Sequence, residues 1–385
     1  MVAKIKKCLQ AVTGIFHTVG GIAALNRLAF RALVEEDCDI DVFSLNEPHL
    51  APDSRYIDLA QRVNIRGFAG DKIRFTAALW QALLTHSYDL VLFDHVNLAS
   101  AVAPLAWIGQ TRYVVWLCGI EVFPPRPDWQ GYLGLRYAGK RLAISEFTKE
   151  CILQRFPKLR IEVCDLALDP IRHSEIKMLP ESQPLLILNA VDGSQSALND
   201  QVILSVGRMV IKERYKGHSS LMQAFPAIAQ QNPRAQLVLA GDGNGKVELH
   251  QQACSLPSAL QSKIFFPGYV SDELLDQLYR ACSVFAMPSI GEGFGLVYLE
   301  AMSRGRPCLG GRVDATPYVV RDGLTGLLVD DPRSPEQVAA ALNWFLAHPE
   351  ESRVMGRKGL DLVNSYYLFP HFKQRFWRLL LGGRS

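Results

Sequence analysis

Short apolar runs alternate with longer stretches of helical periodicity along the first half of the chain. Leu9–Phe16, Ile40–Leu45, Leu90–Phe93, Tyr113–Leu117, Leu142–Ile144 and Ile161–Val163 read as strands. Between them, Ile22–Val34, Lys72–Leu84 and Glu146–Phe156 place apolar residues at helical spacing. This alternation predicts a parallel sheet with helices on both faces, because strands covered on both sides must be apolar throughout. The rhythm breaks over Met178–Asp200, where Pro180, Pro184, Gly193 and several Ser and Asn suggest a linker. It restarts with strands at Val202–Val206, Gln236–Ala240, Ile264–Phe266 and Ser283–Met287, and helices at Ser219–Gln230 and from Leu296 to about Arg304. Ser145, Ser271 and Ser334 stand where helix N-caps are expected, and Ser334-Pro335-Glu336-Gln337 has the form of a capping box. Two α/β domains facing each other across a cleft are the expected architecture.

Composition narrows this little further. A chain of 385 residues exceeds one ordinary core and suits two domains. With 49% hydrophobic and 21% charged residues it is globular, and no apolar run of about 18 residues predicts a membrane span. The N-terminus is basic and then apolar, but its apolar part is short and leads into Gly20-Gly21, so a first core strand is expected rather than a leader. The eight cysteines are scattered without C-x-x-C pairs, as for reduced, packed thiols of a cytoplasmic protein. A net charge of +3 gives no argument for nucleic acid.

The chemistry concentrates in PSIGEGFGLVYLEAMS, residues 288–303. A buried strand opens there into a loop with Gly291, Gly293 and Gly295, and a helix follows. Backbone N–H groups at such a turn suit an anion. Glu292 and Glu300 flank it, and carboxylates repel phosphate, so hydroxyl groups are their natural partners. A ligand with a diphosphate in the middle and polyols on both sides fits, and a nucleotide sugar is one. With Pro288-Ser289 before it and Glu300-Ala301-Met302, Gly305 and Pro307 after it, the E-x7-E arrangement resembles the signature of family-four (group 1) retaining glycosyltransferases of GT-B fold.

The resemblance implies roles residue by residue. Glu292 would orient the sugar, Glu300 the ribose, and the backbone of Gly293, Phe294, Gly295 and Leu296 the phosphates. Arg208, in SVGRM, and Lys216, before Gly217, match the family's basic pair on the leaving diphosphate. A fixed guanidinium and ammonium stabilise charge that grows as the sugar departs, without a metal or other cofactor. Tyr269 and Val270 match the loop that meets the nucleobase, and Gly20 and Gly21 a Gly-Gly loop near diphosphate and acceptor. Cys118, in WLCGIE, stands where many relatives have histidine, and a thiol is a poor replacement for imidazole. His95 is a minor candidate. GDGNG at 241–245 lacks the third glycine and the later acid of a dinucleotide fingerprint.

The expected division is an acceptor-side domain over 1–180, a linker over 181–200 and a donor-binding domain over 201–366. Residues 367–385 would cross back to the first domain. The expected activity moves a hexose-type sugar from a nucleotide diphosphate donor to a saccharide or lipid-linked saccharide with retention. The expected location is cytoplasmic, with peripheral membrane contact possible. A noncatalytic nucleotide-sugar-binding partner, an NAD-dependent oxidoreductase and a nucleotide-sugar epimerase are the rival readings.

Overall fold

The computed structural model describes residues 5–48, 56, 63–107, 112–119, 129–171, 185–211 and 216–382. The chain forms two compact units, Met1–His173 with Tyr367–Ser385, and Ser174–Tyr366.

The first unit is built on seven parallel strands: β1 Lys7–Val12, β2 Asp39–Ser44, β3 Val63–Gly67, β4 Leu90–Phe93, β5 Val114–Leu117, β6 Lys140–Ala143 and β7 Glu162–Val163. Their order is β3-β2-β1-β4-β5-β6-β7. Every residue of β4 and β5 is buried, the pattern expected of strands covered on both faces. β3 differs, since its residues alternate between half-buried and exposed at the sheet edge. With no apolar run to mark it, VNIRG carries little strand signal. The short helices Val96–Ser100, Ala103–Trp107 and Trp129–Arg136 likewise escape periodicity arguments, being too short to repeat a pattern. Leu9–Phe16 overshoots β1: the chain leaves the sheet after Val12 and turns back toward the helix Gly21–Val34.

The C-terminal helix Phe369–Leu381 is part of this unit. Trp116 of β5 stacks against Phe372 and Phe376 at centroid distances of 6.4 and 5.7 Å. Trp377 Nε1 donates to the Ala32 carbonyl at 3.2 Å. Such aromatic contacts add about 0.5–1.5 kcal/mol each beyond area burial.

The second unit has six parallel strands: β10 Val202–Val206, β11 Gln236–Ala240, β12 Ile264–Gly268, β13 Val284–Met287, β14 Cys308–Gly311 and β15 Gly326–Val329. Their order is β12-β11-β10-β13-β14-β15. Within 181–200, the segment expected as a linker, β8 Ile187–Asn189 and β9 Gln195–Ala197 form an antiparallel hairpin. Val191, Asp192 and Gly193 make its turn, and Val191 N–H donates to the Ile264 carbonyl at 3.0 Å, tying the hairpin to β12. Ser145, Ser271 and Ser334 cap their helices as expected. The box at Ser334 is half of one, because Gln337 Oε1 accepts from Asp331 N–H at 3.0 Å instead of from the capping residue.

In both sheets the direction of strand addition reverses once, between β1 and β4 and between β10 and β13. Open α/β sheets bind ligands outside the carboxyl ends of the strands at that point.

Candidate functional site

In the second unit the loops after β10 and β13 therefore stand side by side, and they carry the predicted residues. Lys216 Nζ lies 2.8 Å from Glu292 Oε1, each side chain 15% exposed. Gly217, at φ 80°, lets the two loops touch; a Cβ there would lie 2.3 Å from the Pro288 carbonyl oxygen. Arg208 is exposed on the same β10 loop. Lys212, Glu213 and Arg214 lie outside the described residues.

The run GDGNG braces the Arg208 loop. Met209 N–H donates to the Asp242 carbonyl at 2.9 Å, and Gly245 N–H to the Met209 carbonyl at 2.7 Å. Ile211 N–H donates to Asn244 Oδ1 at 3.0 Å. The glycines serve loop-on-loop packing, which explains a Gly-rich run without a dinucleotide.

The Glu292 peptide is held from a direction that the sequence does not signal. Asp314, 2% exposed, accepts from Glu292 N–H at 2.8 Å and from the Ser289 hydroxyl. Ala315 N–H donates back to the Glu292 carbonyl at 3.1 Å. Burial pushes the Asp314 carboxyl above its usual range. A single Asp in a loop gives no local cue to this role; only the adjacency of β13 and β14 brings it to Glu292.

The helix after the loop, Leu296–Met302, is seven residues long, shorter than the stretch to Arg304 expected from its sequence. So few aligned peptides make a small dipole, and Lys216, through its contact with Glu292, brings a full positive charge to the glycine loop. Gly295 takes φ 92°, and a Cβ there would come within 2.5 Å of the Tyr298 ring. Phe294 is buried at 4% exposure, and Leu296 is half-buried. Glu300 Oε2 accepts from the Tyr279 hydroxyl at 2.8 Å. Tyr269 is 67% exposed and Val270 half-buried in the turn between β12 and the helix Asp272–Ala281.

Of the predicted residues of the first unit, Gly20 and Gly21 follow β1, His95 follows β4 and Cys118 follows β5. Gly20 and Gly21 are exposed at the start of the helix Gly21–Val34, with no atom within 4 Å of an added Cβ on either. The turn before them is wrapped around Glu47, which accepts from the N–H groups of Ile15, His17 and Thr18 at 2.9, 2.7 and 3.0 Å. Burial pushes the Glu47 carboxyl up, but these N–H groups and the Ser44 hydroxyl outweigh it and hold it below the usual range. The anion in this nest is the protein's own. Cys118 Sγ donates to the Asp94 carbonyl at 3.5 Å. His95 Nδ1 accepts from Asn97 N–H at 3.0 Å, a helix-capping contact. Glu121 lies outside the described residues.

Asp94 is fully buried. Its Oδ2 accepts from Thr13 N–H, the Thr13 hydroxyl and Asn26 Nδ2 at 2.8, 2.6 and 2.8 Å, while Oδ1 has no partner among the described residues. Burial pushes its carboxyl up to about 6. A raised acid binds its proton more tightly folded than unfolded, so its contribution to stability falls as pH rises from about 4 to about 6 and is flat above. The unfolding free energy of wild type minus that of Asp94→Asn is expected to drop by about 2–3 kcal/mol across that window. Denaturant titrations of both proteins at pH 4 and 7 test this, and a constant difference would refute it.

Among the described residues, no group of three or more His, Cys, Asp or Glu side chains is arranged to hold a metal. Residues 190–361 match the family described as glycosyl transferases group 1. Over 306 residues the chain is 26% identical to trehalose synthase of Pyrococcus horikoshii, covering 77% of this chain and 71% of the relative. Over 165 residues it is 31% identical to D-inositol 3-phosphate glycosyltransferase of Segniliparus rotundus, covering 42% of this chain and 36% of the relative. HepE from Anabaena, solved in complex with UDP and glucose, aligns with TM-score 0.75 and 20% identity over 97% of this chain and 99% of that one. Identity that low speaks for fold alone. The fold is therefore GT-B, and within it residues 190–361 are similar to the group 1 glycosyl transferases.

Proposed function

We propose that the protein transfers a hexose-type sugar from a nucleoside diphosphate donor to a saccharide or lipid-linked saccharide, retaining anomeric configuration. The observation that carries this reading is the Lys216–Glu292 pair at the β10–β13 reversal, with the glycine loop beside it. The UDP and glucose in the HepE complex support a nucleotide sugar as donor.

In this reading the Lys216 ammonium is shared between Glu292 and the diphosphate. Glu292 orients the sugar hydroxyls, and Lys216 with Arg208 stabilises the charge that grows on the departing phosphate. Amides of Gly293–Leu296 line the phosphates, the Glu300 carboxylate takes ribose hydroxyls, and the Tyr269-Val270 backbone meets the base. Gly20 and Gly21 offer backbone near phosphate and acceptor, and Cys118 a weakly polar corner for the sugar. No described helix is long and apolar enough to cross a membrane. A cytoplasmic enzyme in peripheral membrane contact suits a lipid-linked acceptor.

The reading is tested by incubating purified protein with UDP- and GDP-hexoses and following release of the nucleoside diphosphate, with and without excess chelator. Release is expected to persist in chelator, since Arg208 and Lys216 supply the positive potential that a divalent ion supplies elsewhere. Activity silenced by chelator and rescued by manganese would overturn the roles of these two residues. Proton spectra of the product report the anomeric configuration.

A further inference from the structure

Resting on the ribose role of Glu300 proposed above, we infer that Tyr279 is the positioning residue that fixes the Glu300 carboxylate for recognition of a ribonucleotide. Glu300 stands in the second turn of the short helix Leu296–Met302, and a glutamate side chain there has three rotatable bonds. The Tyr279 hydroxyl, from the neighbouring helix Asp272–Ala281, donates to its Oε2 at 2.8 Å. This bond sets the plane of the carboxylate before any ligand arrives, so less side-chain freedom is lost on binding.

The donor is itself immobile. Tyr279 is 2% exposed, and its ring meets Phe285 of β13 at a centroid distance of 5.8 Å. Burial, reinforced by the charge of Glu300, pushes the phenol well above its ordinary range, so it remains protonated and can only donate toward the carboxylate. A second tie, an ion pair between Asp276 and Arg304, joins the Tyr279 helix to the turn that follows the Glu300 helix. It holds the end of the Glu300 helix without touching the carboxylate. The two ties separate helix placement from carboxylate placement, which makes the inference testable.

Binding of UDP and 2′-deoxy-UDP, with the GDP pair in parallel, is measured calorimetrically on wild type, Tyr279→Phe, Glu300→Ala and Asp276→Asn. Wild type is expected to prefer the ribonucleotide. Tyr279→Phe is expected to weaken UDP binding about tenfold, as for one hydrogen bond to a charged group, and 2′-deoxy-UDP less, so that the preference narrows. Asp276→Asn is expected to lower the melting temperature and keep the preference. If Glu300→Ala loses the preference while Tyr279→Phe keeps both affinity and preference, the positioning role is overturned. It is equally overturned if Asp276→Asn narrows the preference as much as Tyr279→Phe does. Failure to bind either nucleotide, no preference in wild type, or a preference intact in Glu300→Ala sinks the ribose reading of Glu300 itself.

Discussion

Lys216→Ala is expected to lower turnover about 10²–10³-fold, the effect of removing one preorganised charge from a developing anion. The size follows from where the ammonium stands. Its 2.8 Å contact with Glu292 fixes it before the donor binds, and the 15% exposure of both side chains limits screening by water. The loss has a second component. Without Lys216, the Glu292 carboxylate is left partly buried with no cation between it and the donor's phosphates, and donor binding weakens as well. The double variant Lys216→Ala/Glu292→Ala is therefore expected to be impaired by less than the sum of the two single variants, as for residues in direct contact. Steady-state kinetics on the four proteins of the cycle give both numbers. Near-wild-type turnover for Lys216→Ala would remove the pair from the mechanism, and strict additivity would show that the contact is idle during catalysis.

The largest expected effect on stability lies in the first unit. Asp169→Ala is expected to destabilise by about 3–5 kcal/mol, because it leaves a buried guanidinium uncompensated. Arg27 Nε lies 2.7 Å from Asp169 Oδ2, with side-chain exposures of 4% and 5%. The Tyr56 hydroxyl donates to the same oxygen at 2.7 Å, and Ile171 N–H to Oδ1 at 3.1 Å. Arg27 also donates to the Ile15 carbonyl at 2.9 Å, so its loss of anchorage would reach the turn wrapped around Glu47. The sign with pH is fixed by the same contacts. Burial pushes the Asp169 carboxyl up, but the charge and hydrogen bonds of Arg27 outweigh that and hold it below the usual range. A carboxyl depressed on folding stabilises fully above its unfolded value, and the contribution is lost as pH falls through the folded one. The difference between wild type and Asp169→Ala in denaturant unfolding should therefore be largest near neutrality and shrink in acid. A difference below about 1 kcal/mol at pH 7 would show that Arg27 finds another partner.

Much of the fold is written in the sequence because parallel strands covered on both faces must be apolar along their length. Val202–Val206 and Gln236–Ala240 could be delimited to the residue on that ground. The edge strand Val63–Gly67 could not, since one side of it is solvated and no apolar run results. Serine caps were equally legible, because a cap acts within three residues of itself. The loop 288–296 announces itself for a similar reason: its glycines answer local needs of backbone angle and close approach. What sequence could not supply is which side chains meet. Lys216 and Glu292 are 76 positions apart, Glu292 and Asp314 22 apart, Tyr279 and Glu300 21 apart. Glu47 in the turn at Ile15–Thr18 and Asp94 against Thr13 are of the same kind. Each contact exists because two strands distant in sequence are neighbours in a sheet, or because a helix is laid across them. Residue type and spacing named the groups able to do the chemistry; the order of strands, set by packing of the whole core, decided which of them hold one another in place.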